Sequence, residues 1–127
     1  MWNFPEHLSA GEKRALGDFL DRVRALLGDD LLDARLFGSR ARGEGHETSD
    51  LDVALIVTPR GHELRRDIFG FTFDAAYDYG VEVGPVVITE DQLRELSDRE
   101  LSIATAIEQE SVRLSSRRGT IGRKGWG

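Results

Sequence analysis

Residues 31–57 constrain this chain more than any other stretch. Leu31 to Phe37 alternates as a strand, with Leu32, Ala34 and Leu36 on one side, and runs straight into Gly38-Ser39. Ten residues later Asp50-Leu51-Asp52 opens a second apolar run that continues to Val57. Strands this apolar must be buried, and a buried sheet needs helices laid on it.

Helical spacing supplies those layers. Ser9-Ala10-Gly11-Glu12 reads as a capping box, in which Ser9 and Glu12 satisfy each other's free backbone N–H groups. Leu16, Phe19, Leu20, Val23, Leu26 and Leu27 then share one face, and Gly28 can end the helix. Leu64, Ile68, Phe71, Ala75 and Tyr79 are spaced for a second helix, closed by Gly80. Between these, the pattern predicts a short helix over Ser39–Arg42 stopped by Gly43, a polar loop, a strand over Asp50–Val57, and a turn at Thr58-Pro59-Arg60-Gly61. Val81–Ile88 reads as a further strand, and Pro85 within it requires an edge position or a bulge. Two more capping boxes, Thr89–Gln92 and Ser97–Glu100, place a helix or helix pair over Glu90–Glu110. The expected fold is a small α/β (α+β) layer, a mixed sheet of three or four strands flanked by helices.

A chain of 127 residues holds one such domain. The boundary falls at residue 114. From 115 to 127, Ser115-Ser116 and four glycines among Arg117, Arg118, Arg123 and Lys124 read as a flexible basic tail. The formal charge of −6 argues against broad binding to duplex nucleic acid. No apolar run approaches the roughly 20 residues of a membrane span. Met1 to His7 lacks the pattern of a signal peptide, and the absence of cysteine excludes a disulfide framework or a thiolate zinc site. The expected location is the cytoplasm. Trp2 and Phe4 are expected to pack on the first helix, His46 to be a solvated loop histidine, and Trp126 lies near the end of the tail.

Candidate chemistry concentrates around the two central strands. Gly38 lets backbone approach a ligand closely, and a helix start beside it offers N–H groups to an anion. Ser39 adds a hydroxyl, while Arg40 and Arg42 add charge-assisted donors suited to phosphate. Asp50 and Asp52, two apart at a strand start, project from one face. Two such like charges resist joint ionisation unless a cation lies between them. Magnesium favours this arrangement, taking one or two carboxylates plus substrate phosphate oxygens. A Gly-Ser, ten-residue gap, Asp-x-Asp pattern would arise by chance in roughly one such chain in a hundred.

Gly38, Ser39, Asp50 and Asp52, with that spacing, make the chain resemble the minimal nucleotidyltransferases of the DNA polymerase β superfamily. Ala41-Arg42-Gly43 and Ser49-Asp50 look like the small prokaryotic branch, and the resemblance runs from about Leu16 to Leu114. It implies a polymerase-β-like core and attack of an acceptor oxygen on the α-phosphorus of a nucleoside triphosphate. It also implies two Mg²⁺ ions and a third carboxylate. Glu82 is the candidate for that carboxylate, joining Asp50 and Asp52 if the strands pair in register, whereas Asp74 and Asp78 on the preceding helix fit less well. Gly38, Ser39, Arg40 and Arg42 would hold the nucleotide. Small stand-alone members resemble antitoxins that move AMP from ATP to a tyrosine of a HEPN-type ribonuclease toxin, the first expectation for this chain. A small-molecule nucleotidyltransferase of the aminoglycoside type and an antitoxin acting by binding alone are the alternatives. Homo-oligomerisation is left open.

Overall fold

The structure, a computed structural model, describes residues 2–44 and 50–115. Its elements are α1 (Ala10–Leu27), β1 (Leu31–Phe37), β2 (Leu51–Val57), α2 (Pro59–Glu63), α3 (Arg65–Tyr79), β3 (Val83–Thr89), α4 (Glu90–Asp98), α5 (Ser102–Gln109) and β4 (Val112–Arg113). The strands form one mixed sheet in the order β3-β2-β1-β4. β1 runs antiparallel to β2 and β4, and β2 pairs in parallel with β3. Pro85 lies on the edge strand, opposite Val53, where its missing N–H disturbs no central ladder.

The central strand is covered on both sides. Leu51, Val53, Leu55 and Val57 join Leu16, Phe19, Leu20 and Val23 of α1 and Ile68 of α3 in one core. Ala54 and Ile56 meet Phe37, Ile88 and Ile107 in a second core under α4 and α5. Fully buried side chains such as Leu16, Phe19 and Leu20 contribute about 1.5–3 kcal/mol each. This α/β/α layering explains why β2 reads as continuous apolar sequence after Asp52. Among the described residues, no helix is long and apolar enough to cross a membrane.

Both outer helices of the first core end where their sequence signals lie, and α1 also begins at its capping box. Ser9 Oγ accepts from the Glu12 N–H and Glu12 accepts from the Ser9 N–H. Gly28 and Gly80 cap the C-termini of α1 and α3. Thr89 and Gln92 complete the capping box of α4. Trp2 and Phe4 pack against the α1 core, Trp2 Nε1 donating to Asp21 at 2.8 Å and its ring lying 4.1 Å from the Arg24 guanidinium.

Several local expectations give way to tertiary context. An irregularity in the β1–β2 register between Leu31 and Asp33 rotates Leu32 away from Ala34 and Leu36, so Leu32 packs in the second core. Residues 39–42 form successive tight turns instead of a helix. Thr58 is a helix cap, accepting from the Gly61 N–H, and Pro59 is the first residue of α2. β3 starts at Val83, two residues later than the apolar run, and β2 at Leu51. Ser97 belongs to α4 and caps nothing; the chain turns at Glu100, with φ of 58°, before α5. β4, too short to announce itself, closes the sheet against β1. Ser115, assigned by composition to the tail, is buried and bridges Trp2. Residues 116–127, with Trp126, lie outside the described residues.

Candidate active site

The C-terminal end of β1 and the N-terminal ends of β2 and β3 meet at one edge of the layered sheet. Phe37 stands opposite Asp52 on β2, and Asp52 stands beside Gly84 on β3. Asp52, Ala54 and Ile56 alternate onto the α4–α5 side, away from α1 and α3.

Two glycines make room for Asp52. Gly38 has φ of 81°, and a Cβ there would stand 2.5 Å from Asp52 Oδ2. A Cβ at Gly84 would stand 3.4 Å from Asp52 Oδ1. The carboxylate therefore lies in a slot between two backbones, next to the Gly38-Ser39 turn. Burial first, and then the charge of Asp50, hold its carboxyl above the usual range. Asp50 itself is exposed, just ahead of β2.

Residues 38–44 curl through a run of short-range bonds. The N–H groups of Ala41, Arg42 and Gly43 donate to the carbonyls of Gly38, Ser39 and Arg40 at 3.1, 3.2 and 3.4 Å, and Glu44 N–H returns to Ser39 at 2.9 Å. The turn presents partly exposed Gly38 and Ser39 beside Asp52. Arg42 is exposed at the rim and pairs with Glu44 at 3.1 Å.

Arg40 is a correction to the sequence reading. Its side chain is 6% exposed and points back toward α1, where Nη2 donates to both oxygens of buried Glu12 at 2.7 and 2.9 Å. That guanidinium is committed to Glu12 and is not presented to a phosphate. His7 Nε2 meets the Arg40 carbonyl as well, so the N-terminal segment grips the turn from behind. Glu12 thus serves α1 and the turn together, since the same Oε1 accepts from the Ser9 N–H. Sequence reasoning saw only the capping box in Glu12, and nothing local signals its second partner 28 residues away. Gly84 was missed too, although a glycine inside a strand does mark close approach of another group.

Glu82 directly precedes β3, is exposed, and its carbonyl accepts from the Leu51 N–H at 3.0 Å. The register that sets Asp52 beside Gly84 sets Glu82 level with Asp50, at the outer end of the acidic pair. Among the described residues, no three carboxylates or imidazoles are drawn together closely enough to hold a metal ion. Asp74 is turned toward α1, where it pairs with Arg22 at 3.3 Å. His46 lies outside the described residues.

A glycine-serine turn thus stands beside Asp52 of β2, with Asp50 just ahead of that strand, on a small mixed sheet layered with helices. The family model described as nucleotidyltransferase domain matches residues 16–114, and the chain belongs to that family. A candidate protein adenylyltransferase from Methanocaldococcus jannaschii is 35% identical over 79 residues, which cover 58% of this chain and 52% of that protein. A bifunctional uridylyltransferase/uridylyl-removing enzyme from Pseudomonas putida is 34% identical over 68 residues, 54% of this chain but 8% of that enzyme. The chain thus spans about half the length of the first relative and a small part of the second. A solved candidate nucleotidyltransferase from Sulfolobus solfataricus superposes with a TM-score of 0.46 at 19% identity, covering 79% of this chain and 76% of that one.

Proposed function

We infer that this nucleotidyltransferase moves AMP from ATP to a hydroxyl of a protein acceptor, with release of pyrophosphate. The observation that carries the reading is the Asp52 carboxylate held between Gly38 and Gly84, beside the Gly38-Ser39 turn. Protein as the acceptor class draws on the name of the M. jannaschii relative. The finer expectation, a tyrosine of a HEPN-type ribonuclease toxin for which this chain is the antitoxin, rests on the resemblance of its motif to the small prokaryotic branch.

The donor set suits magnesium. Asp50 and Asp52 offer hard oxygen ligands, and a dication would relieve the burial and like charge that hold the Asp52 carboxyl up. Asp50 and Asp52 would hold the ion or ions; Glu82, just ahead of β3, is not drawn close enough to them to complete a three-carboxylate set. Bound Mg²⁺ supplies neutralisation of phosphate charge and a template for in-line displacement.

The chain's own groups do the rest by positioning. The Gly38 backbone and Ser39 hydroxyl hold the β- and γ-phosphates, and Arg42 adds charge from the rim. The acceptor oxygen bonds to the α-phosphorus as the bond from that phosphorus to the β-phosphate bridge breaks. The acceptor's proton passes to Glu82, and the electron pair of the broken bond leaves with pyrophosphate.

The test is incubation with Mg²⁺ and α-phosphate-labelled ATP in host lysate, beside the Asp50→Asn/Asp52→Asn double variant. A labelled protein band missing from the control supports the reading, and mass spectrometry then locates the modified hydroxyl. Label confined to small molecules would overturn the protein acceptor. No label, with a toxin still neutralised, would replace catalysis with binding.

A further inference from the structure

Residues 39–42 hang between two glycines in the left-handed region, Gly38 with φ of 81° and Gly43 with φ of 76°. Glycine at both ends lets such a segment swing as a unit, because neither end has a Cβ to restrict rotation. The segment's own hydrogen bonds hold it loosely, lengthening from 3.1 Å at the Gly38 carbonyl to 3.4 Å at the Arg40 carbonyl. Contacts from outside the turn must fix it, and they converge on one residue.

Arg40 is gripped by main chain and side chain at once. Its carbonyl, already the acceptor of the 3.4 Å bond, also accepts from His7 Nε2–H. Its guanidinium Nη2 reaches both Glu12 oxygens, at 2.7 and 2.9 Å. The two side chains are 6% and 3% exposed, so water competes little for the pair. Glu12 lies in the first turn of α1, whose Ala15, Leu16, Phe19 and Leu20 are fully buried. Ala41 packs on the same core. The clamp thus hangs from a helix seated in the core, and it leaves Gly38 and Ser39 partly exposed beside Asp52.

We propose that His7, Glu12 and Arg40 are positioning residues for nucleotide binding, holding the Gly38-Ser39 turn in the conformation that receives the triphosphate. This role rests on the reading above that the turn binds the β- and γ-phosphates. Without the clamp the turn occupies that conformation only part of the time, and the apparent dissociation constant rises by the inverse of the fraction. A turn ordered before the ligand arrives avoids that loss. Arg40 therefore acts through the backbone it holds, whereas Arg42 at the exposed rim can act on phosphate by its charge.

Equilibrium dialysis of labelled ATP with Mg²⁺ against the full chain tests this, with urea midpoints measured beside it. Glu12→Leu/Arg40→Met removes the ion pair without leaving a buried charge, so it is expected to fold with near wild-type stability. Its ATP dissociation constant should nevertheless rise about tenfold, a change that a purely structural pair would not produce. His7→Ala, at an exposed position, should keep the urea midpoint and raise the dissociation constant about threefold. His7→Gln, which keeps an N–H donor, should restore it, and this pair decides the point even if the double variant fails to fold. Ser39→Ala separates the clamp from the reading beneath it, because Ser39 faces the phosphates on that reading and is no part of the clamp. Weaker ATP binding by Ser39→Ala, with wild-type binding by His7→Ala and the folded double variant, would overturn the clamp and leave the phosphate-binding turn standing. Wild-type binding by Ser39→Ala as well would overturn both.

Discussion

The Asp52 carboxylate occupies the space that a side chain at residue 38 would need. A Cβ on Gly38 would lie 2.5 Å from Asp52 Oδ2, on a backbone whose φ is already 81°. The glycine of the turn and the aspartate of the strand are therefore one unit, and the spacing in their motif reflects that packing. Gly38→Ala is expected to fold with a loss of about 1–3 kcal/mol from backbone strain. Displacing Asp52 should lower kcat by about 10²-fold. Urea denaturation and labelled-ATP turnover measure the two effects, and wild-type turnover in the folded variant would contradict the arrangement.

Asp52→Asn separates activity from stability. Nucleotidyl transfer should fall by about 10³-fold or more, because a carboxylate ligand is lost from the reacting centre. Stability should move the other way. Because burial and Asp50 raise the Asp52 carboxyl from its ordinary value of 3.8, the folded chain binds that proton more tightly than the unfolded chain. Wild-type stability therefore declines as pH rises from 3.8 through the folded value, and the deficit is constant above it. In the absence of divalent metal, Asp52→Asn should have the higher Tm at neutral pH, with the gap closing below pH 3.8. Excess Mg²⁺ should raise the wild-type Tm alone. Thermal melts across pH decide both points.

Glu12 holds the Gly38-Ser39 turn from behind through Arg40. Glu12→Ala leaves a buried guanidinium without its carboxylate and should cost about 3–5 kcal/mol. Replacing both partners, as Glu12→Leu/Arg40→Met, should recover most of that loss, since the unpaired charge is then gone. Denaturant midpoints of the single and double variants test this. Equal losses in both would show that Arg40 is satisfied by something other than Glu12.

Glu82 stands level with Asp50 at the outer end of the pair. Glu82→Gln should reduce kcat by about 10²-fold as its proton acceptor is removed, while nucleotide binding persists. Single-turnover kinetics and equilibrium binding of ATP read the two separately. Wild-type turnover would place the third carboxylate elsewhere.

Much of the fold was legible because its signals are short. The capping boxes at Ser9 and Thr89 need only a reach of three residues, and both form. The alternation from Leu51 to Val57 and the edge position required by Pro85 follow from strand geometry alone. Where a second partner intervenes, the local reading fails. Leu32 changes sides at an irregularity in the β1–β2 pairing, and Ser97 loses its capping role because α4 continues through it.

At the site, the sequence by itself determined which chemical groups are present. A turn-forming glycine, a hydroxyl and two acids two residues apart are properties of residue type and spacing, and the start of β2 brings Asp52, with Asp50 just ahead of it, wherever the sheet goes. Only the tertiary structure decided which neighbours share that chemistry. Arg40 and Arg42 look equivalent in the chain, yet one is buried on Glu12 and the other is exposed at the rim. Gly84 rather than Glu82 stands beside Asp52 because the parallel register of β2 and β3 sets it there. A buried cation must find its carboxylate, and a strand must find its register, through contacts between residues far apart in sequence. Those contacts exist only once the layers have packed.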